Sequence, residues 1–119
     1  MTKPIEFHID EPWFEHIVEG RKVVEGKLAK GKALQMQVES ILHISGNNGD
    51  VIECHITAIR PYSSFREYLE SETLAKTLPG VTTIDAGLEV YQKYYEPGLD
   101  SKLGVLAIEL QFIHFVKKQ

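Results

Sequence analysis

The 119 residues suffice for one domain, since domains commonly run about 100–150 residues. Apolar residues at 43% and charged residues at 25% exclude a disordered tail or a fibrous repeat. No window approaches the roughly 18–20 apolar residues of a membrane span, no apolar run of signal-peptide length opens the chain, and one cysteine cannot form an internal disulfide. A single domain over residues 1–119, cytoplasmic and away from membranes, is the expectation.

The formal charge of −4 is unevenly spread. Arg21, Lys22, Lys27, Lys30 and Lys32 stand against Glu25 alone, a local net of +4 over residues 21–32, so the remainder carries −8. An acidic chain repels phosphate, but a basic stripe on an acidic body attracts an anion locally. A solvated lysine-rich loop has the same pattern.

Residues 4–10 read as an extended lead-in. A helix is predicted from Asp10 as its cap, with Trp13, Phe14, Ile17 and Val18 on one apolar face and Gly20 at its end. Trp13 is expected to be largely buried. The period then turns extended: residues 22–28 contain Val23 and Val24 and predict a strand. Lys30, Gly31 and Lys32 make a turn, and Leu34, Met36 and Val38 alternate with Gln35 and Gln37 as a half-buried strand.

Gly46-Asn47-Asn48-Gly49-Asp50 is rich in residues that tolerate positive φ and predicts a hairpin. With Asn48 at its centre, Ile44 faces Ile52, Leu42 faces Cys54 and His43 faces Glu53, so both apolar faces coincide. Pro61 is expected to end the second arm. Ser64 and Glu67 form a capping box for a short helix carrying Phe65, Tyr68 and Leu69. A second helix is predicted over residues 84–95, capped by Thr82 or Thr83. Residues 104–115, with Leu106, Ile108, Leu110 and Phe112 alternating, predict a closing strand. The fold class is α+β, and so many amphipathic strands in a small chain favour a compact β-barrel, with a short N-terminal helix and a helical insert before the closing strand.

Familiar signatures are absent: no phosphate-binding glycine loop and no paired-cysteine zinc site. Cys54 falls on the apolar face, where a thiol packs as core. His43, Glu53 and His55 share the opposite face, an arrangement as ordinary on an exposed sheet as it is suggestive of a metal; neither metal nor cofactor is expected. The informative stretch is Gly20-Arg21-Lys22-Val23-Val24-Glu25-Gly26-Lys27. A lysine and a carboxylate this close keep each other charged and can orient a ligand, or they form a structural ion pair. Strict alternation sends Lys22 and Glu25 to opposite faces, so a shared cleft requires an irregular strand start.

Gly20-x-Lys22-x-x-Glu25-x-Lys27 resembles the G-x-K-x-x-E-x-R motif of the ASCH domain family, preceded by a short helix with an early tryptophan, Trp13. The resemblance continues through residues 52–59 into Tyr62-Ser63-Ser64-Phe65, then Leu69, Leu78-Pro79-Gly80, Tyr91 and Tyr95, and ends in residues 104–108. It implies a PUA-like β-barrel whose motif lines a cleft, and an association with RNA. One subgroup of short members hydrolyses N4-acetylcytidine with a lysine, a threonine and a glutamate. Lys22 matches that lysine, the threonine falls on Glu25, and the glutamate has no assigned counterpart in residues 64–78. Lys27 stands where the motif has arginine, which grips phosphate bidentately.

Three functions compete. The first is an RNA- or nucleotide-binding module in which Arg21, Lys22, Glu25 and Lys27 form the cleft and Tyr62 or Phe65 offers a stacking face. Core packing is the plainer role for both aromatics. The second is a small hydrolase of a modified nucleoside or of single-stranded RNA, with Lys22 polarising or activating and Glu25 as general base. The third is a non-catalytic protein-interaction domain. The expected partner is RNA, a nucleoside or a nucleotide; the oligomeric state is not readable.

Overall fold

The computed structural model describes residues 3–119. In chain order these form β1 (Ile5–His8), α1 (Trp13–Val18), β2 (Val24–Leu28), a 3-10 turn (Gly31–Gln35), β3 (Ile41–Ser45) and β4 (Val51–Tyr62). Then follow α2 (Phe65–Glu72), α3 (Leu74–Thr77), α4 (Ile84–Gln92), α5 (Leu99–Leu103) and β5 (Val105–Lys117). The α+β class and the helical insert before the last strand are as expected. The hairpin has the expected register, with Ile44 opposite Ile52, Leu42 opposite Cys54 and His43 opposite Glu53.

The five strands form one mixed sheet in the order β1-β3-β4-β5-β2. It is not the closed barrel expected: β1 and β2 remain its two edges, with no ladder between them. At four and five residues both edges are short, which limits the unpaired backbone they present. A side chain spans the gap instead: the Lys27 ammonium of β2 lies 4.2 Å from the centroid of the Phe7 ring of β1.

Two apolar clusters share this sheet. Phe14 and Ile17 of α1 pack with Leu42, Ile44, Ile52, Cys54, Ile56 and Ile108. Tyr68, Leu69, Leu78 and Tyr91 pack with Val24, Leu28, Val105 and Ala107. The β4–β5 register shifts between Ile56 and Ala58, and there the buried face of β5 changes from Val105 and Ala107 to Ile108 and Leu110. The predicted alternation of β5 therefore holds only past the bulge. Trp13 is half-buried and touches both clusters rather than lying within one.

Other expectations need correction. The cap of α1 is Pro12, without a side-chain hydrogen bond; the Asp10 carboxylate is held by His8 and Tyr94 instead. Pro61 lies inside β4, opposite Leu106. There β3 has already ended and β4 has only β5 beside it, the edge situation that tolerates proline. Ser64 caps α2 by accepting from the Glu67 amide, while Glu67 reaches to the amide and hydroxyl of Ser63. Thr83 caps α4, which ends at Gln92 rather than at residue 95.

The predicted strand at Leu34, Met36 and Val38 is a 3-10 turn followed by irregular chain. Its three-residue period puts Ala33 and Met36 together, 5% and 6% exposed, and leaves Leu34 and Val38 at 65% and 55%. Leu34→Ser and Val38→Ser are therefore expected to stay within about 0.5 kcal/mol of the parent. Met36→Ala should cost about 2–5 kcal/mol by chemical denaturation. Equal costs at all three positions would restore the strand.

Candidate ligand-binding site

Gly20, at φ +79°, ends α1 in a left-handed turn. The amides of Arg21 and Lys22 both donate to the His16 carbonyl, at 2.8 and 3.0 Å, and the β2 ladder begins only at Val24. Lys22 thus precedes the strand and escapes its alternation, which is the irregular start that a shared cleft requires. Its side chain turns inward until only 2% of the residue is exposed. The ammonium donates to Val24 O at 2.9 Å, Thr77 O at 2.6 Å and Glu25 Oε1 at 3.2 Å. A lysine has three protons to give, and all three have acceptors here. Burial pulls its pKa below the usual range, against the opposing pull of Glu25.

Glu25 is the centre of the site. Its Oε1 accepts from Lys22, from the Gly26 amide at 2.8 Å and from the Tyr91 hydroxyl at 3.0 Å. Since Tyr91 donates to the carboxylate, the Tyr68 hydroxyl, 2.8 Å away, donates to Tyr91. Oε2 has no hydrogen bond among the described residues, yet it is not sealed from solvent. Burial pushes the Glu25 carboxyl upward, but the ammoniums of Lys22 and Lys27, the Gly26 amide and the Tyr91 hydroxyl outweigh it. The group is held ionised, below its ordinary value.

Glu25 lines a cavity of about 160 Å³ between residues of the two sheet edges, together with Lys22, Lys27, Trp13, Tyr91, Tyr94 and Tyr95. His8 at the end of β1 and Asp10 just beyond it also line the cavity. Glu25 and Lys27, two residues apart on β2, point to the same side. Lys27 makes no hydrogen bond or ion pair among the described residues beyond its contact with Phe7, and burial lowers its pKa. Asp10 accepts from Tyr94 at 2.7 Å and bonds His8 at 2.9 Å, which holds its carboxyl below the ordinary range.

Of the six candidates, Lys22, Glu25 and Lys27 meet in the cavity, and Arg21, Tyr62 and Phe65 do not line it. Arg21 donates to His16 Nδ1 at 2.8 Å on the surface beside α1. Tyr62 donates to Glu72 at 2.6 Å. Phe65 is core, stacked on Tyr91 and Tyr95 at 4.5 and 5.5 Å between centroids, so it supports the tyrosine wall from behind. His43, His55 and His114 converge on Glu53, at 3.1, 3.0 and 3.7 Å. No group of three potential ligands among the described residues is arranged to hold a metal. Sequence reasoning missed the cavity roles of Trp13, Asp10 and Tyr94. The available signal was three tyrosines at i, i+3 and i+4 where α4 ends, of which only Tyr91 and Tyr95 belong to the resemblance.

Two expected outcomes follow from this geometry. A Cβ on Gly26 would lie 2.6 and 2.7 Å from Tyr68 ring carbons. Gly26→Ala should therefore cost about 2–3 kcal/mol in urea denaturation, and Tyr68→Phe in the same chain should not rescue it. The Glu25 contribution to stability is complete above the ordinary carboxylate value and is lost as pH falls through its depressed folded value. Glu25→Gln should be less stable than the parent at neutral pH, and the gap should narrow below about pH 4. A gap that is constant with pH would show that Glu25 is not held ionised.

The ASCH domain model matches residues 7–114. Among solved structures, the hypothetical protein PH0355 is 36% identical over 93% of this chain and 100% of its own, with a TM-score of 0.84. Protein PF0455 from Pyrococcus furiosus is 36% identical over 93% of this chain and 98% of its own, with a TM-score of 0.76. The S128A mutant of ZmASCH from Zymomonas mobilis, 16% identical, covers 92% of this chain and 72% of its own at a TM-score of 0.61, a likeness of fold alone. No curated protein matches the chain. With the family match spanning nearly all of the sequence, the chain belongs to the ASCH domain family.

Proposed function

We propose that this protein binds RNA or a nucleotide by seating one base in the cavity beside Trp13 and the tyrosine wall. Glu25 Oε2 accepts a base N–H, and Lys27 meets a carbonyl or phosphate oxygen. The observation that carries the reading is the state of these two groups: a carboxylate with one oxygen triply bonded and the other free, beside an ammonium without a hydrogen-bonded partner among the described residues. A free acceptor and a free cation in one aromatic-lined cavity suit a flat, polar, anionic ligand. An apolar ligand would bury both charges unsatisfied, each at more than the about 1–3 kcal/mol that a neutral polar group costs. Aromatic faces add about 1–3 kcal/mol per stacked base. The PUA-like fold, itself associated with RNA binding, is consistent with this.

The same geometry weighs against Lys22 as the proton-transfer group of a hydrolase. Each of its protons already has an acceptor, and moving one to a ligand requires breaking a bond in a site 2% exposed. Glu72, the glutamate of residues 64–78 that is buried, is held by two bonds of 2.7 Å from Arg60 and by Tyr62. That favours Lys22 as the positioning residue for Glu25.

The sole tryptophan makes the test direct, because Trp13 lines the cavity. Titration with the four nucleoside 5′-monophosphates should quench its emission for at least one of them. Glu25→Gln and Lys27→Met should each weaken that binding by about ten-fold or more, roughly 1.4 kcal/mol. Tyr62→Phe should leave it unchanged. Parent-like binding by both cavity variants would exclude the site. Turnover of N4-acetylcytidine that disappears in Lys22→Arg would establish the hydrolase in its place.

A further inference from the structure

We propose, resting on that reading, that the cavity is the terminal subsite of a longer groove and that its ligand is a single RNA strand, not a free nucleoside. A second hollow of about 120 Å³ adjoins the cavity, and Lys27 and Tyr95 line both. Its other lining residues include Phe7, Lys30, Lys32 and Met36, and none is acidic. A strand whose base sits beside Glu25 passes over Lys27 and Tyr95 into this hollow, where Lys30 and Lys32 meet the next phosphates.

The fold holds these cations in place. The Lys32 ammonium donates to the Glu6 carbonyl of β1 at 2.6 Å, which fixes its stem across the seam while two protons stay available. Lys30 is exposed and makes no side-chain hydrogen bond or ion pair among the described residues. The 3-10 turn that displaced the expected strand begins at Gly31 and so presents both lysines together. A nucleoside confined to the cavity reaches neither. Residues 21–32 carry +4 on a body of −8, so a polyanion is repelled along most of the surface and accepted along this stripe. Phe7 and Tyr95 line the hollow with aromatic surface, which a purely acidic peptide does not use.

The experiment compares each nucleoside with its homopolymeric pentaribonucleotide by calorimetry, for the parent, for Lys30→Glu, and for Lys30→Ala combined with Lys32→Ala. Pentanucleotides should bind at least about ten-fold tighter than nucleosides, with a log–log salt slope near −2 for three phosphate contacts, reduced to about −0.7 in the double variant. Nucleoside affinity should not change in any variant. Lys30 makes no side-chain hydrogen bond or ion pair among the described residues, so Lys30→Glu should keep the parental melting temperature, and its loss of pentanucleotide binding is then not a folding defect. Nucleosides binding as tightly as pentanucleotides, or variants with parental pentanucleotide affinity, would overturn the strand path while leaving the cavity reading intact. Failure of both ligand classes in the parent would overturn both. Hexaglutamate binding as tightly as RNA would assign the groove to an acidic peptide.

Discussion

Everything at the site depends on one buried contact, the Lys22 ammonium against Glu25 Oε1. Neither charge survives burial alone, because a lone ion in such a setting costs several kcal/mol and neutralises instead. Two carbonyls, an amide and a tyrosine hydroxyl complete the coordination, so both ions stay charged. The asymmetry of that coordination matters more than its strength. All the internal donors gather on one carboxylate oxygen, which leaves the other with its lone pairs free and its orientation fixed. A carboxylate on a flexible surface side chain has the same charge but would lose entropy on binding that this one has already lost in folding.

The two tyrosines behind Glu25 tie the contact to the rest of the fold. Tyr68 comes from α2 and Tyr91 from α4, and their hydroxyls form a chain ending on the carboxylate. Burial raises the pKa of both well above the phenolic range, so both remain neutral donors. Gly26 lets the Tyr68 ring lie directly on the β2 backbone. The helical insert thereby holds the strand that carries the motif, and the motif in turn supplies the polar anchor for the insert. This reciprocity explains why an α+β layout with two small clusters needs no large single core around its cavity.

How much of this was legible in the sequence varies with the range of the forces involved. The hairpin was legible to the residue, because turn chemistry and two matching apolar faces leave one register. The caps at Ser64 and Thr83 were legible because capping is local. Lys22, Glu25 and Lys27 were legible as a motif, since their spacing survives the fold. Leu34 and Val38 misled, because alternation reports a strand only where a neighbouring strand accepts it, and none pairs there. Tyr94 and Asp10 were not legible as a pair. They lie 84 residues apart, and what joins them is the meeting of β1 with the end of α4, a fact of tertiary structure alone. Phe65 resembled a binding aromatic and proved to be packing for the same reason.

The unpaired seam between β1 and β2 has one more implication. In most small sheets an open edge is a defect to be hidden, and here the two short edges face each other across a ligand-sized gap. Any molecule lodged there touches both strands at once and supplies, through its own polar atoms, the cross-links that the backbone omits. The occupant then completes the architecture as well as being held by it. Occupancy would stabilise the folded chain by about 2.7 kcal/mol at a hundred-fold excess of ligand over Kd. The protein would in that sense be a receptor whose last strand is its ligand.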